Sequence, residues 1–397
     1  MIFGLLKDIK SEEYRTLCTP TEIAAIVGAG HRALVQCGAG VGAGFSDEAY
    51  ERAGAELAKD AQAIFSACEL VAKVKEIEPS EYGRLRRGQI LYCCLHPAAH
   101  PEEVQALLDA KCIAFTAEDS HRYASPNCEA AGKQGALCGL ESMLTVHGGK
   151  GVFVGGFVGA PRMRVLILGG GAVGQGALSV LTALGADVTV MDINMGTLRM
   201  LADRYGSKIT TAYCTKEAIA ARLPHLDMVL NCVRWDKQRT DHLIDAQMLK
   251  MMERGSVLVD ISNDAHGAIE TTRETHHADP RYVVNGVVHY CVSNIPSAVA
   301  RSASIALAAE TLPRLLHILN HGVKGACIAD GYLRRSLTAY LGFLTHEETS
   351  AVQARPWMPP EDVLEIADLS LDPVPSATRT KSDLFYDRRP SHFDKPD

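Results

Sequence analysis

Residues 164–192 read RVLILGGGAVGQGALSVLTALGADVTVMD, which is a short apolar run, a glycine cluster, a helical stretch and a second apolar run. Gly169, Gly171 and Gly174 have the G-x-G-x-x-G spacing, and Asp192 follows about 20 residues later, at the end of the second apolar run. Gly169 permits a tight turn, Gly171 lets the backbone approach a pyrophosphate, and Gly174 lets the helix pack against the strand. The stretch therefore predicts a βαβ unit.

The ligand predicted for this unit is a dinucleotide. The N-terminus of the helix offers unpaired N–H groups and a positive dipole to phosphate groups. Asp192 can accept hydrogen bonds from both ribose hydroxyls, which favours NAD over its 2′-phosphorylated relative. A glycine motif alone also occurs in purely structural βαβ turns, but the strand before it, the helix after it and the acid favour a dinucleotide site.

The overall composition excludes several other classes of protein. A length of 397 residues suits two domains, and a net charge of −7 without a basic face argues against a nucleic-acid partner. Residues 165–186 are uncharged, but the glycine cluster and Gln175 interrupt them, so we expect no membrane span. The start of the chain lacks the features of a signal peptide. The twelve cysteines include no C-x-x-C pair, which predicts buried reduced thiols, a cytoplasmic protein and no metal site.

Apolar runs alternate with helical stretches on both sides of residues 164–192. Strands are predicted at 34–37, 70–74, 90–95, 112–116, 208–211, 228–232, 256–261 and 283–290. Residues 297–319 are predicted to form a helix that is bent or broken at Pro313. This alternation predicts an α/β fold with two Rossmann-like, doubly wound parallel-sheet domains and the active site in the cleft between them.

The predicted domains follow from the same pattern. Residues 1–127 and 301–355 form a discontinuous substrate domain, and residues 128–300 form the NAD-binding Rossmann domain. Residues 356–397 are rich in proline and charge, which predicts an extended or partly disordered C-terminal tail.

Polar residues at the carboxyl ends of predicted strands are candidates for chemistry, because ligands of open α/β sheets bind there. His96 is a candidate general acid or base, or else a structural or surface histidine. Lys75, or its neighbour Lys73 on the same predicted strand face, could hold a substrate carboxylate or be a solvated charge. Arg15 could bind a carboxylate through two hydrogen bonds, or pair at the surface with the glutamates beside it. Asp264 lies in a loop and is a better catalytic candidate than Asp260, which lies within a strand.

Together these segments resemble the alanine dehydrogenase family, which is related to the NAD-binding subunit of transhydrogenase and to saccharopine dehydrogenase. The resemblance covers residues from about 1 to 345. The matching stretches are GLLKDIK (4–10) with Glu13, Arg15 and Pro20; 71–76; RGQIL (87–91) through His96 with Ala98 and Ala99; GGKG (148–151); the glycine motif; MDIN (191–194); VDI (259–261) with Asp264 and Gly267; and HYCVSNIP (289–296).

The resemblance implies a role for each matched position. Arg15 and Lys75 would hold the carboxylate of an amino acid or oxo acid, and His96 and Asp264 would exchange protons with its amino or carbonyl group. It also implies a homo-oligomer, a hexamer or a dimer. The residues implied to bind NAD are Gly169, Gly171, Ala172, Val173, Gly174, Asp192, Asn194, Val233 and Asn294.

The sequence departs from the family pattern in the loop after residue 233. Arg234 and Trp235 stand where an apolar stretch with proline and glycine is usual, close to the nicotinamide. Arg234 could bind a second carboxylate of a larger substrate, or lie at a rim or an oligomer surface. Cys128 stands in place of a hydroxyl expected near the pyrophosphate, and Thr197 in place of a lysine that often contacts the adenosine ribose.

Three functions remain possible from the sequence. The first is an NAD-dependent L-amino acid dehydrogenase of the alanine dehydrogenase type, which releases ammonia and a 2-oxo acid. The second is an opine- or saccharopine-like dehydrogenase or an imine reductase, which acts on a secondary amine of a larger or dicarboxylic substrate. The third is a non-catalytic NAD(H)-binding or transhydrogenase-like subunit, against which the joint presence of Arg15, Lys75, His96 and Asp264 argues.

Overall fold

The computed structural model describes residues 1–122, 124–235, 239–263 and 266–371. These residues divide into two compact units, and each contains one large sheet. The first unit comprises Met1–Pro126 and continues from Ala300, whereas the second comprises Asn127–Val299. None of the helices in the described ranges combines the length and the apolar composition that a membrane crossing requires.

The two sheets contain fifteen strands in the described residues. In chain order they are β1 (Ile2–Leu5), β2 (Arg32–Gln36), β3 (Glu56–Ala58), β4 (Leu70–Ala72), β5 (Ile90–Cys93), β6 (Ile113–Thr116), β7 (Arg164–Leu168), β8 (Asp187–Asp192), β9 (Ile209–Tyr213), β10 (Met228–Asn231), β11 (Val257–Asp260), β12 (Arg281–Val284), β13 (Val287–Tyr290), β14 (Leu337–Tyr340) and β15 (Phe343–Leu344).

Helices connect most of these strands. They are α1 (Pro20–Gly28), α2 (Asp47–Arg52), α3 (Ala61–Ala67), α4 (Pro101–Asp109), α5 (Ala117–Ser120), α6 (Pro126–Ser142), α7 (Ala172–Ala183), α8 (Met195–Tyr205), α9 (Lys216–Ala220), α10 (Ala246–Leu249), α11 (Ala300–Ala329), α12 (Gly331–Arg335), α13 (Glu347–Gln353) and α14 (Pro360–Val363).

Both sheets have the strand order of a doubly wound α/β fold. The first has the order β15-β14-β6-β5-β4-β1-β2-β3 and the second β12-β13-β11-β10-β7-β8-β9. Strands β14, β15 and β12 are antiparallel to their neighbours, and the other pairs are parallel. The order therefore reverses between β1 and β4 in one sheet and between β7 and β10 in the other, which is where ligands of such sheets bind. The predicted fold class, two Rossmann-like parallel-sheet units, is confirmed.

The buried strand residues alternate between two apolar clusters, one on each face of the sheet. In β7, Val165 and Ile167 belong to one cluster of the second unit, and Leu166 and Leu168 belong to the other. The strands of the first unit divide in the same way, with Leu70 and Ala72 in one cluster and Val71 in the other. This explains why the strands read as continuous apolar runs, since both faces of a parallel sheet are covered.

Three segments differ from the sequence prediction. Residues 283–290 form part of an antiparallel hairpin of β12 and β13, because Asn285 and Gly286 both have positive φ and turn the chain. Helix α11 passes through Pro313 and leaves helical dihedrals at Gly322 instead (φ 68°, ψ 175°), a conformation that glycine adopts without a steric clash. Beyond residue 355, where a tail was predicted, α14 and the residues after it pack Leu364 and Ile366 into the core of the first unit.

Helices α6 and α7 approach each other so closely that only glycine fits between their backbones. A Cβ atom added at Gly132 would lie 1.9 Å from the carbonyl oxygen of Val173, and one at Gly176 would lie 2.6 Å from that of Glu129. Both contacts are with main-chain atoms, which cannot move aside as a flexible side chain would. The start of α7 is therefore fixed by the packing of α6.

We expect Gly132→Ala to lower the free energy of unfolding by about 3 kcal/mol, because the added methyl group forces the two backbones apart. The midpoint of urea denaturation measures this loss. Gly83→Ala is the matched control, since a Cβ atom there meets nothing within 4 Å. An equal midpoint for the parent and Gly132→Ala would contradict the described packing.

Candidate active site

The glycine loop of the second unit has the geometry of a phosphate cradle. Gly169 has φ +91°, a conformation that favours glycine. A Cβ atom at Gly174 would lie 1.9 Å from the carbonyl oxygen of Gly169, so Gly174 must be glycine as well. A Cβ atom at Gly171, in contrast, would meet nothing within 4 Å, which leaves the loop open on that side. Gly171 is the N-cap of α7 and provides no side-chain cap, so Ala172 and Val173 begin a helix whose first N–H groups can bind an anion.

Asp192 joins the glycine loop to the next turn. Its Oδ2 accepts a hydrogen bond from the Gly170 N–H (2.7 Å), and its Oδ1 accepts one from the Asn194 N–H (2.8 Å). Each carboxylate oxygen has a second lone pair. The half-buried side chain can therefore hold the loop and still accept hydrogen bonds from ribose hydroxyls.

The two asparagines predicted to bind NAD also have structural contacts. Asn194 is the N-cap of α8, where its Oδ1 accepts hydrogen bonds from the N–H groups of Gly196 (2.9 Å) and Thr197 (3.2 Å). Thr197 is buried, as expected for a residue that packs rather than reaches a ligand. Asn294 is 6% exposed, and its carbonyl oxygen accepts a hydrogen bond from His277 Nε2 (3.0 Å).

The loop after β10 lies beside the glycine loop. A Cβ atom at Gly169 would lie 3.0 Å from the carbonyl oxygen of Cys232 and 3.2 Å from the nitrogen of Val233. Arg234, the next residue, has an exposed side chain, whereas Trp235 is buried. The main chain of this loop thus lies beside the cradle at Val233, and Arg234 and Trp235 follow it directly.

Asp264 lies outside the described residues, but the turn that leads to it is described. Asp260 Oδ1 accepts hydrogen bonds from Asn231 Nδ2 (2.8 Å) and from the N–H of Asn263 (3.0 Å). Asn263 has φ 41° and donates through Nδ2 to the carbonyl oxygen of Cys291 (2.7 Å). The buried Asp260 therefore fixes the turn at the carboxyl end of β11, as its position within the strand suggested.

In the first unit, Arg15 is buried and not at the surface. Its Nε lies 2.8 Å from Glu13 Oε1 and its Nη2 lies 2.5 Å from Glu13 Oε2, while its backbone N–H also donates to Glu13 Oε1 (2.9 Å). Burial alone would lower the pKa of Arg15, but the hydrogen bond to Glu13 raises it overall. Glu13 thus keeps a buried guanidinium charged and fixes its orientation.

The two lysines after β4 have different environments, although alternation predicted one shared face. The strand ends at Ala72, so the alternation does not extend to both lysines. Lys73 is fully buried, with Nζ 2.8 Å from Glu81 Oε2 and 3.8 Å from Asp8 Oδ1, and these carboxylates raise its pKa against the effect of burial. It is therefore a structural cation.

Lys75 is half-buried, and its backbone N–H donates to Asp8 Oδ2 (2.8 Å). No carboxylate in the part of the chain that the structure describes lies within 4.0 Å of its Nζ. Burial alone would raise the pKa of the nearby Glu76, but the charges of Lys75 and Lys10 lower it to about 2, and Glu76 forms its direct ion pair with Lys10. Of the two lysines, Lys75 is therefore the one that can bind an anionic ligand.

His96 begins the loop after β5 and is held by Glu118 of α5. Glu118 Oε1 lies 2.8 Å from His96 Nδ1 and also accepts a hydrogen bond from the backbone N–H of His96 (3.1 Å). Burial alone would raise the pKa of Glu118, but the imidazole of His96 lowers it overall. The ionised carboxylate favours a proton on Nδ1, which leaves Nε2 of the half-exposed imidazole for a ligand.

The structure thus brings Arg15, Lys75 and His96 to one edge of the first sheet, at the carboxyl ends of the adjacent strands β1, β4 and β5. The sequence offered pairing with the neighbouring glutamates as a surface alternative for Arg15, and the pair with Glu13 forms, but it is buried. The sequence did not predict that Asp8 and Glu118 would hold the other two. Asp8 and Glu118 are 67 and 22 residues from their partners, and no local pattern connects them.

Comparison with known proteins assigns both units to one family. Residues 4–129 match the profile of the alanine dehydrogenase/PNT N-terminal domain, and residues 136–347 match that of the C-terminal domain. The alanine dehydrogenases of Methanococcus maripaludis and Bacillus subtilis are each 38% identical over 371 residues, which is 92% of this chain and 100% and 98% of theirs.

Solved structures agree with this assignment. An L-alanine dehydrogenase superimposes with a TM-score of 0.84 and 34% sequence identity, over 89% of this chain and 99% of that chain. A transhydrogenase from Sinorhizobium meliloti shares the fold, with a TM-score of 0.72 at 21% identity over 87% of this chain and 99% of that chain. With both units matched over most of their length, the chain belongs to the alanine dehydrogenase/PNT family.

Proposed function

We propose that the chain is an NAD-dependent L-amino acid dehydrogenase that converts L-alanine, NAD⁺ and water reversibly to pyruvate, ammonia and NADH. The observation that carries the proposal is the edge of the first sheet where Lys75, a cation without a carboxylate partner in the described residues, accompanies Arg15 and His96. The resemblance to proteins named alanine dehydrogenase over 92% of the chain identifies the first substrate to test.

Arg15 and Lys75 hold the substrate carboxylate in this proposal. Two cations at neighbouring strand ends fix both the position and the rotation of a carboxylate, so that its Cα is presented in one orientation. Glu13 accepts hydrogen bonds from Nε and Nη2 of Arg15, which fixes the orientation of the guanidinium. Lys75 supplies the charge that the substrate neutralises.

The second unit holds the cofactor. The main-chain N–H groups at the start of α7, from Ala172 and Val173 onward, would bind the pyrophosphate, and Asp192 would bind the adenosine ribose. Asn194 and Val233 lie next to these groups, and Asn294 joins the set through the family resemblance. NAD⁺, when bound, supplies the acceptor for the hydride that leaves the substrate Cα. Gly169 and Gly174 keep the loop and the helix close enough for these contacts.

His96 and Asp264 transfer protons in this proposal. The role of Asp264 follows from the family resemblance. Loss of hydride from Cα leaves an imino acid, which water attacks at the imine carbon. His96 Nε2 accepts the proton that this water loses, and a proton must then reach the nitrogen before ammonia departs. Glu118 stabilises the protonated imidazole between these steps.

A second candidate function is a dehydrogenase or imine reductase that acts on a secondary amine of a larger or dicarboxylic substrate. The observation that favours it is the exposed Arg234, which follows Val233 beside the glycine loop. A guanidinium there suits a second carboxylate. Both candidate functions use NAD and hydride transfer. They differ in the amine, because the first uses ammonia and the second uses an amine that already carries a carbon substituent.

We also propose that the chain assembles into a homo-oligomer, a hexamer or a dimer, in the cytoplasm. The turn at residues 153–158 in the second unit supports the assembly, because Phe153 and Phe157 stack with ring centroids 4.7 Å apart while they remain 54% and 68% exposed. Contiguous exposed apolar side chains are typical of interaction surfaces. The cysteines, all free thiols and mostly buried, fit a reducing compartment.

The primary test is NADH oxidation by the purified chain with pyruvate and ammonium. We expect His96→Ala to lower kcat roughly 100- to 10,000-fold, the usual contribution of a general acid or base, with unchanged NADH affinity. His100→Ala is the control on the same loop and should keep the parent kcat. Parent-like kcat in His96→Ala would refute the role of His96, and absence of NADH oxidation by the parent would refute the proposed function.

The substrate class is tested by comparing pyruvate with oxaloacetate, and ammonium with amino acids as the amine. If the chain is a simple alanine dehydrogenase, Arg234 makes no ion pair with pyruvate. Arg234→Ala then changes the KM for pyruvate by less than about twofold. If Arg234 binds a second carboxylate, the KM for oxaloacetate rises about tenfold in this variant. Efficient use of pyruvate and ammonium alone would exclude the second candidate.

Phe157→Lys tests the proposed assembly. We expect the charge to prevent burial of the stacked rings, so that light scattering after gel filtration gives the mass of a single chain where the parent gives a multiple. Met251→Lys is the control at another exposed apolar side chain of the same unit. A parent that elutes as a single chain would contradict the homo-oligomer.

A further inference from the structure

Trp235 in the loop after β10 has no part in the chemistry proposed above. Its side chain is only 5% exposed, although it lies two residues beyond Val233 at the cradle. Its indole Nε1–H is buried and finds no hydrogen-bond acceptor in the structure as described. Burying a donor without an acceptor is unfavourable, so this N–H calls for an explanation, and a ligand that accepts its hydrogen bond supplies one.

The indole is held from one side by Arg239. The guanidinium carbon of Arg239 lies 4.0 Å from the centroid of the Trp235 ring, within the range of a cation–π contact. Asp241 fixes this guanidinium through two hydrogen bonds, 2.8 Å to Nε and 2.5 Å to Nη2. Two residues of the same loop, Arg239 directly and Asp241 through Arg239, thus hold the indole on this side.

The strand order indicates which half of a bound dinucleotide lies next to this indole. The second sheet has the order β8-β7-β10, and Asp192, the residue suited to the adenosine ribose, ends β8. A dinucleotide whose pyrophosphate sits at the end of β7 extends in opposite directions from there. With adenosine on the β8 side, the nicotinamide nucleoside lies on the β10 side, where Trp235 follows the strand.

We propose that Trp235 is a cofactor-binding residue whose indole N–H donates a hydrogen bond to an oxygen of the nicotinamide nucleoside of NAD(H). The inference rests on the proposed NAD-dependent function and extends it to a residue that the glycine motif does not include. The nicotinamide nucleoside offers hydroxyl and carboxamide oxygens as acceptors, whereas an indole N–H can only donate. Binding of the cofactor would thus give the buried donor its partner.

The chain carries its own probe for this contact, because it contains only two tryptophans. Trp357→Phe leaves Trp235 as the sole tryptophan, and Trp235→Phe leaves Trp357, which belongs to the first unit and serves as the matched control. The oxidised nicotinamide ring quenches tryptophan fluorescence on contact, since it accepts an electron from the excited indole. ADP occupies the adenosine and pyrophosphate positions without a nicotinamide nucleoside. Calorimetry on the same samples measures binding independently.

We expect saturating NAD⁺ to lower the emission of the Trp357→Phe protein at least about twofold, because of ring contact, and to leave that of the Trp235→Phe protein nearly unchanged. ADP should leave both nearly unchanged. Trp235→Phe should also weaken NADH binding roughly tenfold, as the loss of one hydrogen bond within the site would, with ADP affinity retained.

The possible failures are distinguishable. Unquenched Trp235 emission in a protein that calorimetry shows to bind NAD⁺ would overturn the inference and leave the proposed function intact. Equal quenching by ADP would also overturn it, because the indole would then lie on the adenosine side. A parent protein that binds no NAD⁺ would overturn both.

Discussion

The cofactor half of the molecule depends on main-chain atoms that approach too closely for any side chain to lie between them. Gly174 packs on the carbonyl of Gly169, while Gly132 and Gly176 bring α6 and α7 together. These contacts fix the first turn of α7, and with it the N–H groups that face a phosphate. Asp192 then locks the loop through Gly170. A binding site made of backbone groups has to be positioned by packing, because it has no rotamers with which to adjust.

In the first unit the corresponding constraint is electrostatic. Three carboxylates hold the candidate residues in place: Glu13 holds Arg15, Asp8 holds the main chain at Lys75, and Glu118 holds His96. Lys73 has two carboxylate partners, whereas Lys75 has none in the described residues. An anionic substrate is therefore attracted to the lysine that forms no direct ion pair in the described residues, and not to its fully buried neighbour.

The sequence predicted those features that local patterns determine. Continuous apolar runs and the glycine motif followed by Asp192 were sufficient for two doubly wound sheets and for NAD, whereas the family followed from the order and spacing of motifs along residues 1–345; these predictions are confirmed. The break in α11 was assigned to Pro313 and lies at Gly322, where the positive φ is a conformation that glycine adopts without a steric clash. Pairings such as His96 with Glu118 could not be predicted, because they depend on which strands become neighbours.

The sheet of the first unit is completed late in the chain. Strand β6 ends at Thr116, and its antiparallel neighbour β14 begins only at Leu337, after the whole second unit. On the ribosome, the second unit is synthesised in one piece, whereas the first sheet has an unpaired edge at β6 until β14 has been made. The half that is synthesised first is thus the half whose sheet is completed last. A nascent chain stalled before residue 337 would expose that edge to chaperones or to aggregation, however stable its cofactor-binding unit had already become.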